Sequence, residues 1–367
     1  MRAERKTMRA CVISGTGDLD RIEIAEVPDP CVEGLGPHQV RVAVRAAALN
    51  RLDVFVIRGL AVKYRFPHTL GSDASGVVQE VGKAVTAVRP GDPVMINPGV
   101  WDGSCEYCRA GDQSLCVNFR VLGEHLPGTI AEYVVIPEQN LAKLPPLDPP
   151  LDWDEAAAFS LVSLTAWRMV VTRAGVRPGE TVLVWGIGGG VSLAAMRVAK
   201  LCGARTIATS SSEAKLAQAT KLGADIALDH AKQNVVREVL ALTGRRGVDV
   251  VIENVGETTW ERSLSVLAKG GRLVTCGATT GPRVVTDLRR LFWNQYALLG
   301  STLGNAAEYA AAVSALASGA LRPVVDRVYP LAQARCGFER LERAQQLGKI
   351  VISLTDQNSE SLWKSAE

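Results

Sequence analysis

The sequence predicts an α/β chain in two parts, a β-rich domain and a doubly wound parallel sheet. Three observations carry that expectation. A run rich in apolar and β-branched residues, Thr181-Val-Leu-Val-Trp185, stops at Gly186-Ile187-Gly188-Gly189-Gly190, and an amphipathic pattern from Val191 and Ser192 to Lys200 begins at once. That order is strand, tight turn, helix. Short, nearly continuous apolar runs at 205–209, 248–252, 271–276 and 297–302 alternate with helical stretches, as buried parallel strands do. From about Met8 to Pro150 the pattern changes to short alternating segments, such as Val40–Arg45 and Ala74–Val81, broken by Gly and Pro.

Taken in order, each element has a local reason. The segment Met1–Met8 is charged and has no apolar stretch of the signal type, and the first strand pattern starts just after Met8. Pro145-Pro146-Leu-Asp-Pro149-Pro150 reads as a stiff linker that ends the β-rich part. Asp152 or Asp154 then caps a long helix running through Ala156 to Val171. A helix over Glu213–Leu222 follows the second strand of the parallel sheet, and the tail returns to β character at Pro323–Val328 and Gly348–Ser353, which predicts that it folds back onto the first part. A length of 367 residues suits about two domains and a large buried core. The net charge of +3 is spread without a dense basic block, which argues against nucleic-acid and acidic-membrane partners. No apolar run reaches the ~20 residues that span a bilayer. The expected compartment is a reducing cytoplasm.

The glycine turn carries the first chemistry. Glycines let the backbone approach a pyrophosphate, and the open N–H groups and dipole of the following helix favour its negative charge. At the end of the second strand, where an NAD-preferring site places Asp or Glu, stand Ser210-Ser211-Ser212, with Lys215 just beyond. Hydroxyls accept a phosphate without repulsion and a lysine attracts it, so NADP(H) is the expected cofactor. Two alternatives stay open: Glu213 turned inward would oppose the phosphate, and the serines would serve equally as helix caps.

Of the eight cysteines, Cys11, Cys31, Cys202, Cys276 and Cys336 are scattered in apolar surroundings and read as small buried hydrophobes. The other three fall in Asp102-x2-Cys105-x2-Cys108-x7-Cys116, within a Gly-containing loop. Three thiolates at that spacing, with a carboxylate to close the tetrahedron, predict one structural zinc; an empty reduced-thiol lobe is the alternative. Among the four histidines, His125, in the loop Gly123–Gly128, is a candidate acid or a loop residue without a role. His68 and Tyr64 are candidates for pocket lining, whereas His38 and His230 read as surface residues.

Several motifs together resemble the medium-chain dehydrogenase/reductase superfamily, from about Met8 to Leu354. They are Leu49-Asn50-Arg51-Leu52-Asp53, Leu70-Gly71-Ser72-Asp73-Ala-Ser-Gly76-Val-Val, Pro90-Gly91-Asp92, Gly128-Thr-Ile-Ala-Glu-Tyr133-Val, the glycine turn and Gly348-Lys349. The resemblance implies a GroES-like β-rich catalytic domain over 1–160 and 303–367, with the zinc-type lobe at 98–118. It implies a doubly wound Rossmann domain over 161–302, and a cleft between the two where nicotinamide meets substrate. In the zinc-dependent branch the position of Asn50 resembles a Cys and Ser72-Asp73 resembles His-Glu. The third ligand would fall near Ser160–Ser163, where no Cys, His, Asp or Glu stands. One carboxylate does not hold a zinc, so the resemblance points to the zinc-free quinone and enone reductase branch.

In that branch Asn50 would hydrogen-bond cofactor or substrate, or is a turn-forming Asn that orders the loop, and Asp53 is either catalytic or structural. Arg51 would pair with the pyrophosphate, or is a solvated arginine. Thr165, Asn254, Gly277 and Ala278 resemble positions on the nicotinamide side, and Ser192 replaces the last glycine of the turn. Leu52 stands where a proton-relay hydroxyl would be. The expected activity is hydride transfer from NADPH to an activated alkene, quinone or carbonyl of a small-molecule substrate. Alternatives are an alcohol dehydrogenase or carbonyl reductase acting on a small alcohol or aldehyde, and a non-catalytic, crystallin-like NADPH-binding protein. The resemblance also implies a homodimer or homotetramer, joined through the edge strand at 297–304.

Overall fold

Strands β1 (Thr7–Ile13), β2 (Ile22–Pro28) and β3 (Gln39–Ala48) lead into helix α1 (Arg51–Arg58), and β4 (His68–Thr69), β5 (Asp73–Val81) and β6 (Pro93–Ile96) follow. The computed structural model describes residues 7–31, 34–60 and 62–355. Most of the charged N-terminal segment and the end of the tail, to which expectations above extend, lie outside the described residues. A lobe then carries β7 (Gly99–Val100), α2 (Glu106–Arg109) and β8 (Arg120–Val121), before β9 (Tyr133–Pro137) and β10 (Leu141–Lys143). The chain divides into two units, 1–161 with 316–367, and 162–315. The crossings fall inside helices α4 (Ser160–Trp167) and α10 (Ala306–Ala317), so the second comes later than the expected 302/303.

In the first unit, alternation decides which face is buried. Val40, Val42 and Val44 of β3 point into one core with Ile13, Ile57, Leu70, Ile136 and Ile352, while the residues between them are less buried. The main sheet runs β10-β6-β5-β3, then two strands from the C-terminal part, β18 (Lys349–Ser353) and β17 (Val325–Pro330), with β9 also paired to β3. The tail thus returns to the first sheet, with Val351 opposite Ala48.

The second unit is a six-stranded parallel sheet. Its strands are β11 (Thr181–Val184), β12 (Arg205–Ser210), β13 (Ile226–Asp229), β14 (Val248–Glu253), β15 (Leu267–Thr275) and β16 (Ala297–Gly300), ordered β13-β12-β11-β14-β15-β16. Helices α5 (Gly190–Leu201), α6 (Glu213–Lys221), α7 (Val235–Leu242), α8 (Trp260–Val266) and α9 (Leu288–Asn294) connect them. The order reverses between β11 and β14, and ligands of open α/β sheets bind at the carboxyl ends of the strands beside such a reversal. β13 is the strand that the sequence pattern did not single out, since Ile-Ala-Leu-Asp is too short to show a period.

Two expectations are corrected. The helix through 156–171 is not continuous. Asp152 caps a short α3 (Trp153–Ala157) by accepting from Glu155 N at 2.7 Å, α4 begins at Ser160, and a wider π-type turn covers Arg168–Arg173. The break has a cause: Asp73 Oδ1 accepts from Leu161 N at 2.7 Å, taking an amide that would otherwise continue the ladder. Among the scattered cysteines, Cys11 is buried, Cys31, Cys202 and Cys276 are partly buried, and Cys336 is exposed. Among the described residues no helix is long and apolar enough to cross a membrane.

Candidate active site and metal lobe

Three neighbouring strands of the first unit bring one polar cluster together. Asp73 opens β5, Lys349 opens β18, and Asn50 follows β3, which lies between them. Register places Asp73 opposite Ala48 and Ala48 opposite Val351. Lys349 Nζ donates to Asp73 Oδ2 at 2.8 Å and to Asn50 Oδ1 at 2.5 Å. Asn50 Nδ2 donates to Asp73 Oδ2 at 3.0 Å and to the carbonyl of Ala48 at 3.3 Å. All three side chains are withdrawn from water: Asp73 is 0 % exposed, Lys349 3 % and Asn50 6 %. The carboxamide of Asn50 is therefore held at both ends within the unit. Lys349, absent from the expected site residues, is its central charge; its position in the Gly348-Lys349 motif was the only sign.

Asp53 completes the cluster from α1. Its Oδ2 accepts from Asn50 N at 2.7 Å, closing the first turn of the helix. It is fully buried, and among the described residues its Oδ1 has no hydrogen-bond partner. Burial pushes its carboxyl up to about 7, against the backbone donors and the Lys349 charge, with Asp73 adding to the rise. Beside it, burial and the Asp53 charge push the Cys11 thiol up to about 12.

These donors do not suit a zinc ion. Ser72 stands where the zinc branch has an imidazole, and its hydroxyl donates to Leu122 O at 2.8 Å. Asp73 already pairs with an ammonium, and an amide oxygen and buried serines are weak substitutes for thiolate or imidazole.

The loop over 122–128 is fastened to β4. His68 Nε2 meets Gly123 O at 2.9 Å, and Gly128 N donates to Thr69 O at 2.9 Å. A Cβ on Gly123 would lie 2.4 Å from Gly71 O, so only glycine allows this approach. His125, on that loop, is partly exposed and accepts from Val121 N at 3.3 Å through Nδ1, which leaves the proton on Nε2. Tyr64 packs at a tilt against the buried His68, with ring centroids 5.0 Å apart. Arg51 opens α1 and is partly buried; burial lowers its pKa, opposed by Glu342. His38 is at the surface, against Glu138.

In the second unit the turn between β11 and α5 is open. Gly186 has φ 62°, a left-handed conformation. A Cβ on Gly186 or Gly189 would meet no protein atom nearer than 3.6 Å, so packing leaves room beside the turn for a ligand. Gly188 precedes the turn's last two glycines, and Gly190, Val191 and Ser192 form the first turn of α5, whose N–H groups have no intrahelical acceptor. Ser192 is fully buried; its hydroxyl donates to Trp185 O at 2.8 Å and accepts from Asn254 Nδ2 at 2.9 Å. The replacement of glycine therefore adds a clamp between the ends of β11 and β14. Gly277 and Ala278 follow β15, with Thr275 Oγ1 donating to Gly277 O at 3.1 Å. Thr165 is buried on α4.

At the end of β12, Ser210 Oγ accepts from Ser212 N at 3.1 Å, and Ser212 caps α6 by accepting from Lys215 N at 3.5 Å. Capping thus uses Ser212, while Ser211 is exposed. Glu213 turns outward to pair with Lys232. His230 is corrected from a surface residue. It is partly buried, meets Thr209 Oγ1 at 3.3 Å through Nδ1, and lies 6.3 Å from the Trp185 ring.

In the lobe, the ligand atoms of Asp102, Cys105, Cys108 and Cys116 all lie within 4.8 Å of one another. Cys116 Sγ accepts from Asp102 N at 3.5 Å and Asn118 N at 3.4 Å. Asp102 Oδ1 accepts from Ser104 N and Cys105 N, and Oδ2 from Asn118 Nδ2, which hold its carboxyl below the usual range. Oδ2 keeps a lone pair, so three thiolates and one carboxylate fit a tetrahedral ion.

Two outcomes follow from the buried cluster. Lys349→Met strands the Asp73 charge and is expected to cost about 3–5 kcal/mol in urea unfolding, with a loss under about 1 kcal/mol contradicting the pairing. Because the folded carboxyl of Asp53 sits at about 7, above its unfolded value near 4, the fold favours the protonated form. Its contribution is full below the unfolded value and declines as pH rises to about 7. Asp53→Asn should gain on the wild type between pH ~5 and ~8, and an unchanged difference would refute the assignment.

Residues 36–146 match the family described as alcohol dehydrogenase GroES-like domain, and residues 190–318 match zinc-binding dehydrogenase. The chain is 31% identical to the NAD-dependent alcohol dehydrogenase of Sulfurisphaera tokodaii, covering 90% of this chain and 96% of that one. It is 31% identical to the acryloyl-coenzyme A reductase of Metallosphaera sedula, covering 94% and 100%. A solved structure of an NAD-dependent alcohol dehydrogenase superposes with a TM-score of 0.90 at 44% identity, covering 95% of this chain and all of that chain. With its GroES-like and Rossmann-type parts, the chain is an oxidoreductase belonging to the medium-chain dehydrogenase/reductase superfamily.

Proposed function

We propose that the chain is an NADP(H)-dependent reductase that acts on an activated alkene, quinone or carbonyl without a catalytic zinc. One observation carries this reading: Asn50, Ser72 and Asp73 stand at the ligand positions of the zinc branch, and Lys349 already neutralises Asp73, a set of side chains that does not suit the metal. NADPH supplies a hydride when bound. The chain's own residues divide the remaining work. The glycine turn and the first N–H groups of α5 hold the pyrophosphate. Ser210, Ser211 and Lys215 receive the 2′-phosphate, and the outward pairing of Glu213 with Lys232 removes the carboxylate that would oppose it. Ser192 fixes Asn254. Lys349 supplies a fixed positive charge and acts with Asp73 to position Asn50. The proton reaches the reduced substrate from solvent, or from His125 in its imidazolium form.

The alkene reading draws support from the acryloyl-coenzyme A reductase relative, whose full length aligns with 94% of this chain. Alcohol–aldehyde interconversion is the second reading, favoured by the alcohol dehydrogenases among the relatives. The lobe is proposed to hold one structural zinc, because its tetrahedron is closed by four protein ligands. A second copy is proposed to pair along β16, the open edge of the parallel sheet, beside the exposed apolar side chains Val285, Leu288, Phe292 and Trp293. Eight cysteines without a disulfide support a reducing compartment.

A panel of enones, quinones, aldehydes and alcohols separates the readings, with NADPH oxidation expected for enones or quinones. Turnover of alcohols alone, or tight cofactor binding without turnover, would overturn the proposal. Ser210→Asp should lower kcat/KM for NADPH by roughly tenfold or more and raise preference for NADH; an unchanged ratio would contradict the cofactor assignment. Native mass spectrometry should read a dimer or tetramer carrying one zinc per chain. Trp293→Asp should release zinc-loaded monomers, and a zinc-free protein or an unaltered assembly would refute the corresponding proposal.

A further inference from the structure

Lined by none of the turn glycines, a cavity of about 610 Å³ in the second unit runs along α7 and against α8. Arg237 on α7, Arg245 just after it and Arg262 on α8 line it, and no Asp or Glu among the described residues does. Arg237 pairs at 2.9 Å with Glu238, which lies outside the lining. Arg262 is fixed in plane: its guanidinium lies 5.3 Å from the centre of the Trp185 ring and donates to Thr258 O. Arg245 occupies a left-handed position, φ 65°, where glycine would be unstrained, and its N–H closes α7 on Leu240 O at 2.6 Å. Val235 and Leu240 give the same cavity an apolar side.

We infer that this cavity is a second ligand site, for a small molecule bearing two or more phosphate or carboxylate groups on an apolar body. The three side chains are exposed to solvent around one space, and an anion placed among them would meet a positive charge from each. Each fork also matches the paired oxygens of a phosphate or carboxylate. The volume falls within the ~300–1,000 Å³ usual for small-ligand sites. The apolar side distinguishes the expected occupant from a bare inorganic ion. The inference does not depend on the reductase reading.

Adenosine 3′,5′-bisphosphate is a suitable probe, titrated calorimetrically into protein already saturated with NADPH or NADH, whichever binds tighter. One equivalent should bind per chain, with affinity falling steeply as salt rises. Arg237→Gln with Arg245→Gln should weaken it roughly tenfold or more while the melting temperature holds, and adding Arg262→Gln should weaken it further. Absence of binding at several millimolar probe, displacement by excess nicotinamide cofactor, or an affinity unchanged in the double variant would each overturn the inference.

Discussion

The buried ion pair between Lys349 and Asp73 is the interaction on which the polar cluster of the first unit depends. An ammonium and a carboxylate removed from water are costly unless each finds its partner and further hydrogen bonds. Here Asp73 receives Lys349, Asn50 and the Leu161 amide, and the same arrangement orients the Asn50 carboxamide and ends the helical ladder before α4. Three strands that are neighbours only because the tail returns to β3 supply the groups. The C-terminal strand is therefore part of the site as well as of the sheet.

That pair also explains why these positions do not offer a zinc ion its usual ligands, although the matching family is named for one. The ligand positions carry an amide, a hydroxyl and an already neutralised carboxylate, whereas the lobe retains three thiolates and gains Asp102. The two halves of the zinc pattern have separated in this chain. The lobe's donors are shaped for an ion; the donors around Asn50 are shaped to hold one another. In the second unit a similar substitution acts differently, because Ser192 fills the glycine position and ties Trp185 to Asn254 behind the open turn.

Much of this was legible in the residues. Glycines between an apolar run and an amphipathic helix mark the dinucleotide turn, and the Cys-x2-Cys-x7-Cys spacing marks the lobe, because both signals lie within a few consecutive residues. The cluster around Asn50 was legible only in part. Lys349 is 299 residues from Asn50, so only the return of the tail strand could reveal the contact. The broken helix after Asp152 was hidden for the same reason, since the carboxylate that interrupts it comes from Asp73. His230 looked peripheral because β13 is too short to announce itself, and a residue just past an unseen strand cannot be placed at the sheet's carboxyl edge.

Anomalous X-ray scattering at the zinc edge, from crystals of the cofactor-bound, active protein, addresses the central claim most directly. The account predicts one peak per chain, among Asp102, Cys105, Cys108 and Cys116. A second peak within bonding distance of Asn50, Ser72 or Asp73 would contradict it, because the Lys349 ammonium and a zinc ion would then be competing for the same carboxylate.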